Sequence, residues 1–74
     1  MDSDEVYIGT KIILARPMNE DDFAKEQGKT WEPERPARKG YRVRYADGYV
    51  SWSPTEPFEQ AYRIVTSEER NMIL

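Results

Sequence analysis

Seventy-four residues with neither cysteine nor histidine allow one small domain and exclude disulfides, thiolate metal sites and imidazole chemistry. The net charge of −3 is uneven: residues 1–34 carry nine acids and four bases (−5), residues 35–49 five bases and one acid (+4), and residues 50–74 four acids and two bases (−2). An acidic chain with one basic stripe makes a poor general nucleic-acid binder, because that affinity comes from many phosphate contacts.

The expected domain spans 1–74, with 1–5 and 67–74 as flexible ends and 29–39 as a loop. Tyr7 to Ala15 is rich in β-branched residues and is predicted as one strand. Ile8, Thr10, Ile12 and Leu14 form its core face, with Tyr7, Gly9, Lys11 and Ile13 opposite; Ile13 there implies cover on both sides. Arg16-Pro17 ends the strand. Asn19 is placed to cap a helix whose first turn, Glu20, Asp21 and Asp22, complements the positive end of the helix dipole. That dipole accounts for the acidic triplet without a metal. Met18 and Phe23 occupy the positions of a hydrophobic staple, and Gly28 limits the helix to about two turns.

Lys29 to Lys39 is a proline-containing, charged loop with no apolar periodicity. Its one large apolar group, Trp31, either tucks onto the core or serves, with Arg35 and Arg38, as an anchor for a partner. Asp47-Gly48 is a strong signal for a two-residue type I′ hairpin turn. That turn pairs Ala46 with Tyr49, Tyr45 with Val50, Arg44 with Ser51, Val43 with Trp52 and Arg42 with Ser53. Tyr41, Val43, Tyr45, Val50 and Trp52 then form a core face. Arg42, Arg44, Tyr49, Ser51 and Ser53 form a polar face, which is either a solvated surface or a site for an anionic nucleotide. Guanidinium groups grip phosphate, hydroxyls add hydrogen bonds, and a tyrosine ring stacks on a base. Arg42, Arg44, Tyr49 and Ser51 are the candidate ligand residues, with Lys39 as an outer charge.

Ser53-Pro54-Thr55-Glu56 has the form of a capping box, although Pro57 makes Thr55 a rival cap. Phe58, Ala61 and Tyr62 share one helical face; Glu59, Gln60 and Arg63 share the other. A short capped turn is expected at Ser67-Glu68-Glu69, before the apolar close Met72-Ile73-Leu74, which is either frayed or an oligomer contact. The longest apolar run, Ile12 to Ala15, is too short to cross a membrane. The expected architecture is α+β: a small antiparallel sheet of three or more strands with one or two short helices. No paired carboxylates or nucleophile–base spacing appears, so an enzyme is not expected, nor is a cofactor.

The segments Tyr7-Ile8-Gly9-Thr10-Lys11, Ala15-Arg16-Pro17-Met18 and GYRVRYADGYVSWSP…FEQAYR (residues 40–63) resemble a family of small phage and prophage proteins. Its members share a YIGTK opening and a DGYxSWSPxxxFExAYR close. The chain departs from that pattern in the basic residues of 37–44 and in Pro57. Trp52-Ser53-Pro54-Thr55 followed by Phe58, Ala61 and Ile64-Val65 is more weakly similar to the close of the Thoeris anti-defence phage proteins, which oligomerise and sequester a nucleotide immune signal. The first resemblance implies an accessory phage protein without an established activity; the second adds the expectation of a homo-oligomeric counter-defence protein in the cytoplasm of the infected host, sequestering a phosphorylated nucleotide. The alternatives are a protein-binding inhibitor of a host defence enzyme, working through Trp31, the basic loop and the C-terminal tail, and an accessory phage protein with no small ligand.

Overall fold

The computed structural model describes residues 4–73. Five antiparallel strands form one sheet: β1 (Glu5–Ile8), β2 (Ile12–Pro17), β3 (Gly40–Arg44), β4 (Val50–Pro54) and β5 (Arg63–Ile64). Three two-turn helices accompany them: α1 (Glu20–Glu26), α2 (Thr55–Ala61) and α3 (Ser67–Ile73). The spatial order is β4-β3-β2-β1-β5. The α+β class and the antiparallel sheet are as expected; the third helix is an addition.

The stretch predicted as one strand is a hairpin. Ile8 pairs with Ile12 and Glu5 with Ala15, around a turn in which the Gly9 amide donates to the Lys11 carbonyl at 3.0 Å. Gly9 lies against the Ala61 carbonyl and the Tyr62 ring, where any Cβ would collide. The three-residue connection preserves the predicted partition of side chains but inverts its sense. Ile13, expected on the outer face, is 2% exposed, whereas Ile12 is 45% exposed.

The second hairpin departs further. Only Gly48 has a positive φ, at 91°, whereas a type I′ turn requires two such residues. The Tyr45 amide donates to the Tyr49 carbonyl and the Gly48 amide to the Tyr45 carbonyl, both at 2.9 Å. Asp47 Oδ1 accepts the Tyr49 amide at 2.9 Å. This is a three-residue loop, a type I turn closed by a left-handed glycine. The register moves by one, so that Val43 faces Ser51, Arg42 faces Trp52 and Arg44 faces Val50. A one-residue slip transfers every side chain of a strand to the other face.

The core therefore has a different membership from the one expected. Ile13, Ala15, Val43 and Phe58 form it, with Tyr7, Tyr41, Tyr45 and Tyr62 packed around. α2 covers this face, and Phe58 lies 4.1 Å from the Tyr41 ring and 4.9 Å from Tyr7, centroid to centroid. Trp52 and Val50, predicted here, lie on the opposite face with Arg42 and Arg44. The α2 helix starts at Thr55 with Pro54 before it, and no side chain caps it. Pro57 sits in the first turn, where its missing amide had no helical partner to lose.

Asn19 precedes α1 as predicted, without a side-chain cap bond. Gly28, at φ 76°, ends the helix: its amide bonds the Lys25 carbonyl while Lys29 bonds that of Ala24, the Schellman pattern. The C-terminal segment is helical rather than frayed. Its cap is Thr66, one residue before the predicted turn: Thr66 Oγ1 accepts the Glu69 amide at 3.2 Å and Glu69 Oε1 accepts the Thr66 amide at 3.0 Å. Met72 is 79% exposed; Leu74, also named in that apolar close, lies outside the described residues, as do residues 1–3 of the expected flexible end.

Candidate functional site: a groove beside the edge strand

The residues proposed for an anionic ligand do not converge. Arg42 and Arg44 project from the α1 side of the sheet, whereas Tyr49 and Ser51 fall in register with Tyr45 and Val43 on the α2 side. Both arginines also have carboxylate neighbours. Arg42 Nε donates to both oxygens of Glu26 at 2.9 Å. Arg44 lies 4.0 Å from Asp4, and Arg16 bridges Asp4 at 3.8 Å and Glu26 at 3.9 Å. Three cations thus share two carboxylates, which offset much of the charge a phosphate would need. Lys39 stands apart, beside Gly40 and Thr55; its carbonyl accepts the Thr55 amide at 3.2 Å.

The residues proposed for a partner do converge. Trp31 donates from Nε1 to the Arg35 carbonyl at 2.8 Å, and the Arg35 guanidinium lies over its ring at 4.7 Å. Arg38 donates from Nε and Nη2 to the two oxygens of Glu20 at 3.1 and 3.0 Å, and lies 5.2 Å from the Trp52 ring centroid. Arg35 approaches the same carboxylate at 3.5 Å. The Arg38 hydrogen bonds are the chief reason that the Glu20 carboxyl is held below its usual range, with weaker help from the Arg35 charge. The loop is thereby tied to the first turn of α1, and its two exposed guanidinium groups each lie over an indole.

Between α1, the loop and β4 runs an open groove of about 500 Å³, lined by Phe23, Trp31, Val50 and Trp52 among others. Trp52 closes its floor: its Nε1 donates to the Met18 carbonyl at 2.7 Å, and its ring lies across Gly40, where a Cβ would collide. β4 is the outermost strand on this side. Because Tyr45 and Tyr49 form a hydrogen-bonded pair, the antiparallel alternation turns the amides and carbonyls of Ser51 and Ser53 toward β3. Those of Val50 and Trp52 point outward, along the groove. Among the described residues no hydrogen bond reaches them from that side.

The chain matches no protein-family model, no curated protein and no solved structure. The site is therefore read from its own geometry. Among the described residues no group of three or more acidic side chains could hold a metal ion, and no helix is long and apolar enough to cross a membrane.

Of the residues named from the sequence, Trp31, Tyr49 and Ser51 line the groove beside β4, and Arg35 and Arg38 lie over its indoles without lining it; Phe23, Glu20 and the outward edge of β4 were not named for a site. Sequence reasoning assigned Trp52 to the core because the two-residue turn put it opposite Val43. A second cleft, of about 700 Å³, opens between the two hairpin tips and is lined by Lys11, Tyr45, Asp47 and Tyr49. The Tyr45 and Tyr49 rings stack there at 5.9 Å, Tyr49 is 64% exposed, and Lys11 Nζ lies 6.0 Å from the Tyr45 ring.

Proposed function

We propose that this chain is a non-catalytic binding protein that engages another protein through the groove beside β4. One observation carries the reading: two indoles, each under an arginine, converge with Phe23 on one groove. Tryptophan and arginine are the residues most enriched among interface hot spots, because a large rigid ring and a planar cation bury much area at little entropic cost. The setting we assign to it, by analogy with the anti-defence phage proteins, is a counter-defence protein acting on a host defence enzyme inside the infected cell. A photo-cross-linking amino acid in place of Lys29, on the groove wall, identifies the partner. With purified partner, Trp31→Ala is expected to weaken binding at least tenfold, about 1.4 kcal/mol, while Arg44→Ala leaves it unchanged. Equal affinity of wild type and Trp31→Ala would sink the reading.

A second reading has its own support in the Lys11–Tyr45–Tyr49 cleft. A nucleotide sequestered there stacks its base on Tyr49 and sets a phosphate against Lys11, without Arg42 or Arg44. Native mass spectrometry of protein from phage-infected cells tests it. A bound nucleotide mass that Tyr49→Ala removes supports sequestration, and a ligand-free spectrum counts against it.

A further inference from the structure

The outward edge of β4 specifies how that groove is filled. We infer that the partner enters as an extended, acidic segment that adds to β4 as a sixth antiparallel strand, its alternate side chains seated against Phe23, Trp31 and Trp52. The inference rests on the binding role assigned to the groove and adds the mode and the chemistry of the occupant.

Three observations converge on it. First, Val50 and Trp52 offer two amides and two carbonyls along the groove, spaced to receive one strand. Natural sheets commonly blunt such an edge; here only Pro54, at its end, lacks an amide. Second, the groove wall opposite the edge is apolar at Phe23 and Trp31 and runs beside the strand. An added strand therefore turns every second side chain toward one surface, the arrangement of peptide recognition by strand addition. Third, the lining itself holds Lys29 and Glu20, the loop beside it carries Lys29, Arg35, Arg38 and Lys39 against Glu32 and Glu34, and Arg35 and Arg38 lie over the Trp31 and Trp52 rings. Arg35 and Arg38 are 58% and 60% exposed, whereas Glu20 is 15% exposed behind them. This excess of positive charge favours an acidic segment. It disfavours a second copy of β4, whose pairing would bring two basic rims together.

The probe is an acetylated, amidated peptide of about eight residues whose groove-facing alternate positions carry valine and phenylalanine at the centre and glutamate at both ends, with threonine at the positions between. Its companions are a version N-methylated at every second residue and a version with lysine for glutamate. Titration into the full chain is followed by tryptophan fluorescence and by amide hydrogen exchange at Val50 and Trp52. The expected result is slowed exchange at both amides, with affinity at least about tenfold weaker for each companion peptide and falling as salt is raised. Binding that leaves both amides exchanging as in the free protein overturns strand addition while leaving the groove as a binding site. Failure of the probe to bind, while a cross-linked partner still depends on Trp31, likewise overturns this inference and spares the proposed function. Loss of both dependences removes both. Protection of Val50 and Trp52 in the protein alone, at a dimer's mass, assigns the edge to a second copy and overturns the acidic partner.

Discussion

Under α2 the sheet is dry and aromatic, whereas under α1 it carries arginines. On the α2 side Phe58 stacks on Tyr41 and Tyr62 and meets Tyr7 edge-on, over Ile13, Ala15 and Val43. The Tyr41 hydroxyl reaches the rim and donates to Glu59 Oε2 at 2.6 Å, a bond that holds its phenol well above the ordinary range. On the other face Arg16, Arg42 and Arg44 alternate with Asp4 and Glu26. The difference separates stability from availability. Aromatic burial yields a few kcal/mol per ring, whereas part-exposed ion pairs yield a fraction of one. The α2 face thus holds the fold, and the α1 side can carry a groove at its margin.

The sharpest way to break this contrast is Phe58→Ala. Loss of a buried phenylalanine costs about 3–5 kcal/mol, against a total of about 4–11 kcal/mol for a domain of this size. The variant is expected to lose a large share of its stability, with the urea midpoint, followed by circular dichroism, moved to much lower denaturant. A native spectrum with an unshifted urea midpoint would move the centre of stability elsewhere. Next comes Gly40→Ala, whose new Cβ collides with the Ser53 carbonyl and the Trp52 ring. A loss of about 1–3 kcal/mol is expected from overpacking, together with a change in Trp52 fluorescence as the indole is displaced. Stability without a spectral change would mean that the floor of the groove is looser than its geometry.

Smaller effects test the charged face. Arg42→Ala removes the pair with Glu26 and is expected to cost about 1 kcal/mol at most, with Arg44→Ala below about 0.5. A chemical-denaturation series that ranks either beside Phe58→Ala would overturn the comparison. The smallest effect lies in acid. Hydrogen bonds from Arg63 come first, and the Thr66 amide second, in holding the Glu69 carboxyl down at about 2, from 4.5. A depressed folded value means that the contribution is complete above the unfolded value and is lost as pH falls from 4.5 through about 2. An NMR titration is expected to show α3 fraying across that window while Val43 and Phe58 hold. Simultaneous loss of both would make α3 part of the cooperative core.

Much of the architecture was legible in the residues themselves. Asn19 and Gly28 bracket α1 because glycine tolerates the left-handed conformation that closes it. Phe58 marks the buried face of α2, and the alternation in 40–54 announces a hairpin. Of the candidate site, Trp31, Arg35 and Arg38 could be named only as one of two readings, since a tryptophan in a charged loop serves a core as readily as a partner. The grouping of Arg42 and Arg44 with Tyr49 and Ser51 could not survive, because it hung on the turn. Asp47-Gly48 serves a two-residue or a three-residue connection equally well, and the parity of that connection decides which side chains share a face.

The sequence by itself determined the α+β class, the antiparallel hairpin, the loop at 29–39 and the absence of thiol and imidazole chemistry, because periodicity, turn residues and composition are local properties. Only the tertiary structure decided the hairpin register, the break of residues 7–15 into two strands, the carboxylate pairs that engage Arg16 and Arg42, and the open edge of β4. Each of these depends on which distant groups meet: Glu26 for the arginines, the Met18 carbonyl for Trp52, and the Phe58 cluster for the face that Val43 takes. Local propensity is indifferent to a shift of one residue; packing on two unlike faces is not.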